Sequence, residues 1–299
     1  MNAARLSLGL VVSSHGRHCV VEGPAGDRRI CHPRGKKNAP VVGDRVQWLA
    51  SGDEGSIERV EPRRNLLYRQ DEVRTKSFAA NLDQVLILVA AEPEFSEMQL
   101  TRALIACEAE RITPLIALNK QDLTESFARA SQRLAPYRAM GYDVLSLAVK
   151  SGVLGDLPQR LQGRTTLILG PSGTGKSSLI NHLIPHAQAA TGDISHALNS
   201  GRHTTTSTTW HWLDERRESA LIDSPGFQEF GLHHIDPSQL GFLMPDFAPH
   251  LQGCKFSNCT HLHEPQCAVQ AALARGEISA SRHRLYGLLF DELSQSPHH

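Results

Sequence analysis

"TTLILGPSGTGKSSLINHLI", residues 165–184, decides how the chain is read. An apolar run of strand length leads into a glycine-rich loop, and a stretch with helical apolar spacing leads out of it. The loop fits the pattern Gly, four residues, Gly, Lys, Ser, in the strand–loop–helix context that a phosphate cradle requires. Gly170, Gly173 and Gly175 let the backbone curl so that its N–H groups converge on phosphate oxygens. Lys176 reaches the β- and γ-phosphates, which gives it a catalytic part, and the Ser177 hydroxyl takes one Mg2+ position. Pro171, Ser172, Thr174 and Ser178 complete the nucleotide-contacting stretch. A helix N-terminus adds its partial positive charge to the attraction. The bland alternative is a chance glycine-rich turn.

Downstream, "LIDSPGF" (221–227) closes a second buried-type strand. An Asp there holds Mg2+, generally through water, and the N–H of a following Gly senses the γ-phosphate; here these are Asp223 and Gly226. "NSGRHTTTSTTW" (199–210) is polar and without period, hence a loop. One of its threonines is placed to be the second hydroxyl ligand of Mg2+, with Thr205 favoured and Thr204 next. Many GTPases set a water-orienting Gln just after the Asp-x-x-Gly motif, but that place is Phe227, which cannot do the work. His203 is the best polar substitute, the alternative being a loop histidine that merely packs.

Upstream, "LNKQD" (118–122) follows "PLIAL" and so hangs from the C-terminal end of a strand, where open α/β sheets bind ligands. The Asp122 carboxylate can accept both N1–H and N2–H of guanine. Adenine has no such donor pair and would leave the carboxylate unpaired. Asn119 either bonds the base or ties its loop to the phosphate loop, the Lys120 stem can lie over the ring, and Gln121 completes the contact stretch. In ordinary guanine-nucleotide domains the phosphate loop comes first; here it comes last. Strand order along a chain can be cyclically permuted when the parent termini lie close together. The remaining base loop falls at Ala148, Val149 and Lys150, where the letters are too degenerate to identify it.

The wider chain fits this centre. Buried-type strands at 83–90, 114–118, 142–149, 165–169 and 219–223 alternate with helical stretches near 97–111, at 124–140 and after Gly155, which implies a mostly parallel sheet. Residues before about 70 alternate short β-type runs with turn signals and predict a small barrel, an OB-fold. Its loops carry Arg28, Arg29, Arg34, Lys36, Lys37, Arg63, Arg64, Arg69, Arg74 and Lys76, a nucleic-acid face or simply a solvated surface. The division is 1–72, 73–235 and 236–299. With 31 basic and 31 acidic residues the net charge is zero, which excludes a molecule drawn bodily to nucleic acid. No apolar run approaches a membrane span, and the N-terminus lacks a cleavage-type signal, so a cytoplasmic monomer is expected.

Three of the six cysteines crowd near the C-terminus as Cys254-x4-Cys259-x-His261-x5-Cys267. Three thiolates and one imidazole make a closed tetrahedral set suited to structural Zn2+, with His263 as a rival ligand. The last unit, with helical segments near 237–243, 265–275 and 279–295, is too small to bury much core unaided.

The permuted order, a barrel bearing "PVVGDRV", the "GRHTTT" loop, "DSPG" and the tail "CKFSNCTHLHEPQCAV" together resemble the bacterial ribosome small-subunit-dependent GTPase A family over essentially the whole chain. The resemblance implies a GTPase that binds GTP and GDP with Mg2+ and acts late in maturation of the small ribosomal subunit. It also implies stimulation by that subunit and contact with its 16S rRNA. It maps the zinc ligands onto Cys254, Cys259, His261 and Cys267, and it points to His203. A decayed nucleotide site on an RNA-binding module would have lost some of Lys176, Ser177 and Asp223. An ATP-dependent kinase or phosphatase is opposed by Asp122.

Overall fold

The alternating runs before residue 61 form five strands: β1 (Ser7–Ser14), β2 (Cys19–Glu22), β3 (Arg28–Pro33), β4 (Arg45–Ser51) and β5 (Glu54–Val60). β1 pairs antiparallel with both β2 and β4, and β3 pairs parallel with β5, so the order β1-β2-β3-β5-β4 closes on itself. That is the five-stranded barrel of the OB-fold. Period-two alternation turns Val11, Val21, Cys31, Val46, Trp48 and Ile57 inward as its core. The computed structural model describes residues 6–16, 18–34, 39–70, 75–184, 208–225 and 230–295. His203, Thr204, Thr205, Gly226 and Phe227 lie outside the described residues, as do Lys36, Lys37 and Arg74.

A two-stranded ribbon of β6 (Leu66–Gln70) and β7 (Thr75–Ala80) follows, spanning both sides of residue 72. The "PVVGDRV" turn staples the barrel to the chain leaving it. Asp44 is fully buried and accepts two bonds from Arg63, at 2.8 and 2.7 Å, and one from the Val41 N–H at 2.8 Å.

The central sheet contains β8 (Gln84–Ala90), β9 (Thr113–Asn119), β10 (Asp143–Ser146), β11 (Thr165–Leu169), β12 (Thr209–Trp212) and β13 (Ala220–Asp223). Their order is β10-β9-β8-β11-β13-β12, all parallel except β12. Counted from β11, whose end carries the phosphate loop, the order read from β12 is 2-3-1-4-5-6. The sheet is therefore an ordinary doubly wound one entered at its fourth strand. β12 also bridges β1 at Thr209 and Ser13, joining barrel and sheet.

β8 is buried along its whole length, as a central parallel strand must be. Val85, Ile87 and Val89 face one core, and Leu86 and Leu88 the other. On the first face lies α1 (Glu97–Ala109), begun by Ser96, whose hydroxyl accepts from the Gln99 N–H at 3.3 Å. The single helix expected over 124–140 is two, α2 (Thr124–Arg133) and α3 (Ala135–Ala139). Pro136, which has no N–H to give to the preceding turn, sits at the start of α3. α4 (Leu157–Leu161) and α5 (Lys176–Leu183) cover the second face through Leu157, Leu161, Leu179 and Ile180.

Among the described residues of the C-terminal unit, 237–243 and 248–253 are 3-10 turns with a proline at the start of each, and only α6 (Ala268–Ala274) and α7 (Ala280–Gln295) are α-helical. The unit is fixed to α1. Arg282, 3% exposed, holds both Asp246 carboxylate oxygens at 2.9 Å and reaches Thr101 Oγ1 at 2.9 Å, with Tyr137 beneath its guanidinium. Arg102 adds an ion pair to Glu292 on α7. Among the described residues, no helix is long and apolar enough to cross a membrane.

Candidate functional site

The site forms where the C-terminal ends of β9, β11 and β13 meet. Asn119, the last residue of β9, is 3% exposed. Its Nδ2 donates to the Thr174 carbonyl in the phosphate loop at 2.9 Å, and its Oδ1 accepts the Val149 N–H at 3.0 Å. One side chain thus joins the base motif, the phosphate loop and the degenerate segment at 148–150. The turn is closed by the Gln121 N–H on the Leu147 carbonyl at 2.9 Å, with Lys120 in the left-handed region at φ 70°. Lys120 Nζ bonds the Glu92 carbonyl. Gln121 and Asp122 are exposed, which leaves the Asp122 carboxylate accessible to a donor pair.

Two glycines of the phosphate loop are dictated by their neighbours. Gly175, at φ +101°, lies so near Asn119 that a Cβ would stand 2.5 Å from Nδ2. Gly170 lies against β8, where a Cβ would meet the Leu88 carbonyl at 2.4 Å. The buried Thr174 gives its hydroxyl to the Pro171 carbonyl at 2.9 Å, bracing the loop from within. Lys176 opens α5, and its Nζ bonds the Gly170 and Pro171 carbonyls at 2.5 and 2.9 Å. Burial lowers its pKa, while the nearby Asp223 charge acts the other way. Ser172, Gly173, Ser177 and Ser178 are exposed at the mouth.

Asp223 ends β13 and pairs in register with Ile168, two residues before Gly170. The next residue, Ser224, is completely buried and donates its hydroxyl to the Ile168 carbonyl at 2.7 Å. A serine inside "DSPG" gives no hint in the sequence that its partner is a strand carbonyl 56 residues earlier. The bond of Asn119 to Val149 was equally hidden, because a backbone N–H is available from any residue but proline.

The four ligand-type residues near the C-terminus converge. Cys254, Cys259, His261 and Cys267 place their donor atoms within 4.8 Å of one another, a group that could hold a metal ion. Cys254 Sγ lies 3.8 Å from Cys267 Sγ and 3.4 Å from His261 Nδ1, and Cys267 Sγ lies 3.6 Å from the same nitrogen. A tetrahedral ion with thiolates at about 2.3 Å has S–S edges of about 3.8 Å and slightly shorter S–N edges, so the set fits. His263 is exposed and outside the group. Around it, Cys267 Sγ accepts the Gln270 N–H at 3.5 Å, and Gln270 Nε2 bonds the His261 and Leu262 carbonyls at 3.0 and 2.7 Å.

The basic loops of the barrel are largely committed. Arg28 pairs with the buried Glu22 at 2.8 Å, Arg34 with Glu58 at 3.0 Å, Arg63 with Asp44 and Arg64 with Asp83, each at 2.7 Å. Among the described residues, the charge of these four arginines is thus balanced where it stands.

Comparison with known proteins agrees with this architecture. The RsgA GTPase family model matches residues 60–233. The small ribosomal subunit biogenesis GTPase RsgA of Variovorax paradoxus is 67% identical over 295 residues, covering 96% of this chain and 93% of that protein. The protein of the same name from Burkholderia pseudomallei (strain K96243) is 52% identical over 292 residues, covering 96% and 92%. Among solved structures, YjeQ from Thermotoga maritima superposes with a TM-score of 0.75 at 30% identity, covering 97% of this chain and 99% of that one. YloQ, described as a circularly permuted GTPase, gives 0.73 at 28%, covering 100% and 99%. With a base motif ahead of its phosphate loop, a closed barrel before them and a Cys3His group behind, the chain belongs to the RsgA GTPase family.

Proposed function

We propose that this chain is a GTP-hydrolysing switch acting in late maturation of the small (30S) ribosomal subunit, with turnover stimulated by that subunit. The observation that carries the reading is the Asn119–Thr174 hydrogen bond, which ties a guanine-reading motif to a phosphate loop 55 residues away. The names of the Variovorax and Burkholderia relatives support the subunit as the setting.

In this reading Asp122 accepts the guanine N1–H and N2–H, and the loop Gly170–Ser178 wraps the phosphates with Lys176 at the β- and γ-oxygens. Ser177, Thr205 and Asp223 would hold Mg2+, whose bound charge neutralises that of the phosphates. Gly226 senses the γ-phosphate, and His203 orients the attacking water that Phe227 cannot. Cys254, Cys259, His261 and Cys267 would hold one Zn2+ as a structural staple for residues 236–299. The barrel, residues 1–72, and the zinc unit then offer the 16S rRNA contacts, flanking a GTPase unit at 73–235. GTP and GDP exchange in a cytoplasmic monomer.

GTP turnover with and without purified small subunits, with ATP as control, tests this. Stimulated hydrolysis of GTP alone is expected, and His203→Ala should still bind GTP but lose most of the stimulated rate. Equal turnover of ATP, or no response to the subunit, contradicts the function. An unchanged rate in His203→Ala removes that residue from the mechanism.

A further inference from the structure

We propose that Ser224 is a positioning residue for GTP hydrolysis: its hydroxyl clamps the end of β13 to the root of the phosphate loop and so fixes where Asp223 stands. The proposal rests on the reading of Asp223 as a Mg2+-holding residue.

Asp223 is the last residue of β13 and of its register with β11, opposite Ile168. Strand ends fray, since no ladder continues beyond them, and Asp223 is the last rung of both its ladders, to Ile168 and to Thr209 on β12. A carboxylate that must meet magnesium nucleotide cannot tolerate that freedom, because small misplacements of a reacting group are costly. Ser224 supplies the hold one residue beyond the ladder. Its hydroxyl bonds the carbonyl of Ile168 itself, at 2.7 Å and with no exposed surface. Across β11 the other side is equally fixed, with Gly170 seated on the Leu88 carbonyl. The phosphate-loop root is therefore gripped between β8 and β13, and of these two contacts the one to β13 is made by the Ser224 side chain. Loss of the hydroxyl leaves the Ile168 carbonyl without that donor in a buried place.

The consequence is specific. Binding of GDP without magnesium draws on the base motif and the phosphate loop, which Ser224 does not touch. Binding of magnesium nucleotide draws on Asp223, which it steadies. Ser224→Ala is expected to raise the Mg2+ concentration for half-maximal GTP turnover about fivefold, the size of one buried hydrogen bond. The affinity for fluorescent GDP in EDTA should stay as in the unsubstituted protein, and Ser224→Thr, which keeps the hydroxyl, should restore the Mg2+ dependence. Thermal unfolding of each variant separates misfolding from misplacement; if the Thr variant does not fold, the Ala result decides. An unchanged Mg2+ dependence in Ser224→Ala overturns the proposal, and so does equal weakening of GDP binding with and without Mg2+. Asp223→Ala in the same assay distinguishes the two layers. If it shifts the Mg2+ dependence and Ser224→Ala does not, the clamp is wrong and Asp223 stands. If neither shifts it, the reading of Asp223 fails as well.

Discussion

Asn119 is the residue on which the site turns, since its amide uses both ends to hold loops that the chain makes far apart. Asp122, three residues on, is exposed, and in the proposed reading it pairs with guanine. Asp122→Asn should weaken GTP binding about 100-fold, the cost of a lost charge-assisted pair, and turn preference towards xanthine nucleotides, whose added carbonyl suits an amide donor. Competitive titration with GTP and XTP checks this; a variant still preferring GTP contradicts the assignment. Elsewhere, the His234 ring packs at a tilt on Tyr68, with centroids 4.3 Å apart, and its Nδ1 is buried without a hydrogen-bond partner. Burial first, and then the neighbouring His233, lowers its pKa from 6.5 to about 4. A histidine depressed in the folded state binds its proton more tightly when unfolded. Its contribution is therefore whole above the unfolded value and is lost as pH falls towards the folded one. Between about pH 7 and about pH 5 the group should cost on the order of 2 kcal/mol, and His234→Gln should flatten that part of the pH–stability curve in urea unfolding. An unchanged slope would show that His234 does not titrate there.

At the scale of elements, the parallel strands were legible because burial on both faces leaves near-continuous apolar runs such as 84–90, whereas antiparallel β12, whose Thr209 and Trp210 fall in the stretch read as a loop, was not. The phosphate loop was legible because its glycines answer to fixed neighbours, Asn119 and Leu88. What escaped was structure made by backbone groups. The split of 124–140 turns on the missing N–H of Pro136, and the roles of Val149 and Ser224 lie in bonds to or from main-chain atoms. The stretch at 237–243 reads as helix but tightens into 3-10 geometry, and a second 3-10 turn follows it at 248–253. Few long helices remain there to bury a core, so the Cys3His group must supply much of the order. Cys259→Ser is expected to drop bound zinc from one equivalent to near none and to lower the unfolding temperature of residues 236–299. Metal analysis with calorimetry checks both. Full retention of metal would exclude Cys259 as a ligand.

Across the whole molecule, three units share buried surface. Val12 and Val20 of the barrel, Phe78 of the ribbon, Leu104 of α1 and Leu289 of α7 belong to one continuous core. Phe230 stacks on Phe78 at 5.6 Å, and its carbonyl accepts from Arg102, which also grips Glu292. Permutation thus brings the chain that follows β13 onto the ribbon and the C-terminal unit. The zero net charge and the paired arginines of the barrel leave the molecule no broad electrostatic attraction to nucleic acid.

The central claim is spatial: two motifs in reversed succession serve the opposite ends of one nucleotide. A crystal structure with a non-hydrolysable GTP analogue tests it most directly. The purine should lie against Asn119 and Asp122 with the phosphates inside Gly170–Ser178; a ring bound away from both residues while the phosphates occupy the loop would contradict it.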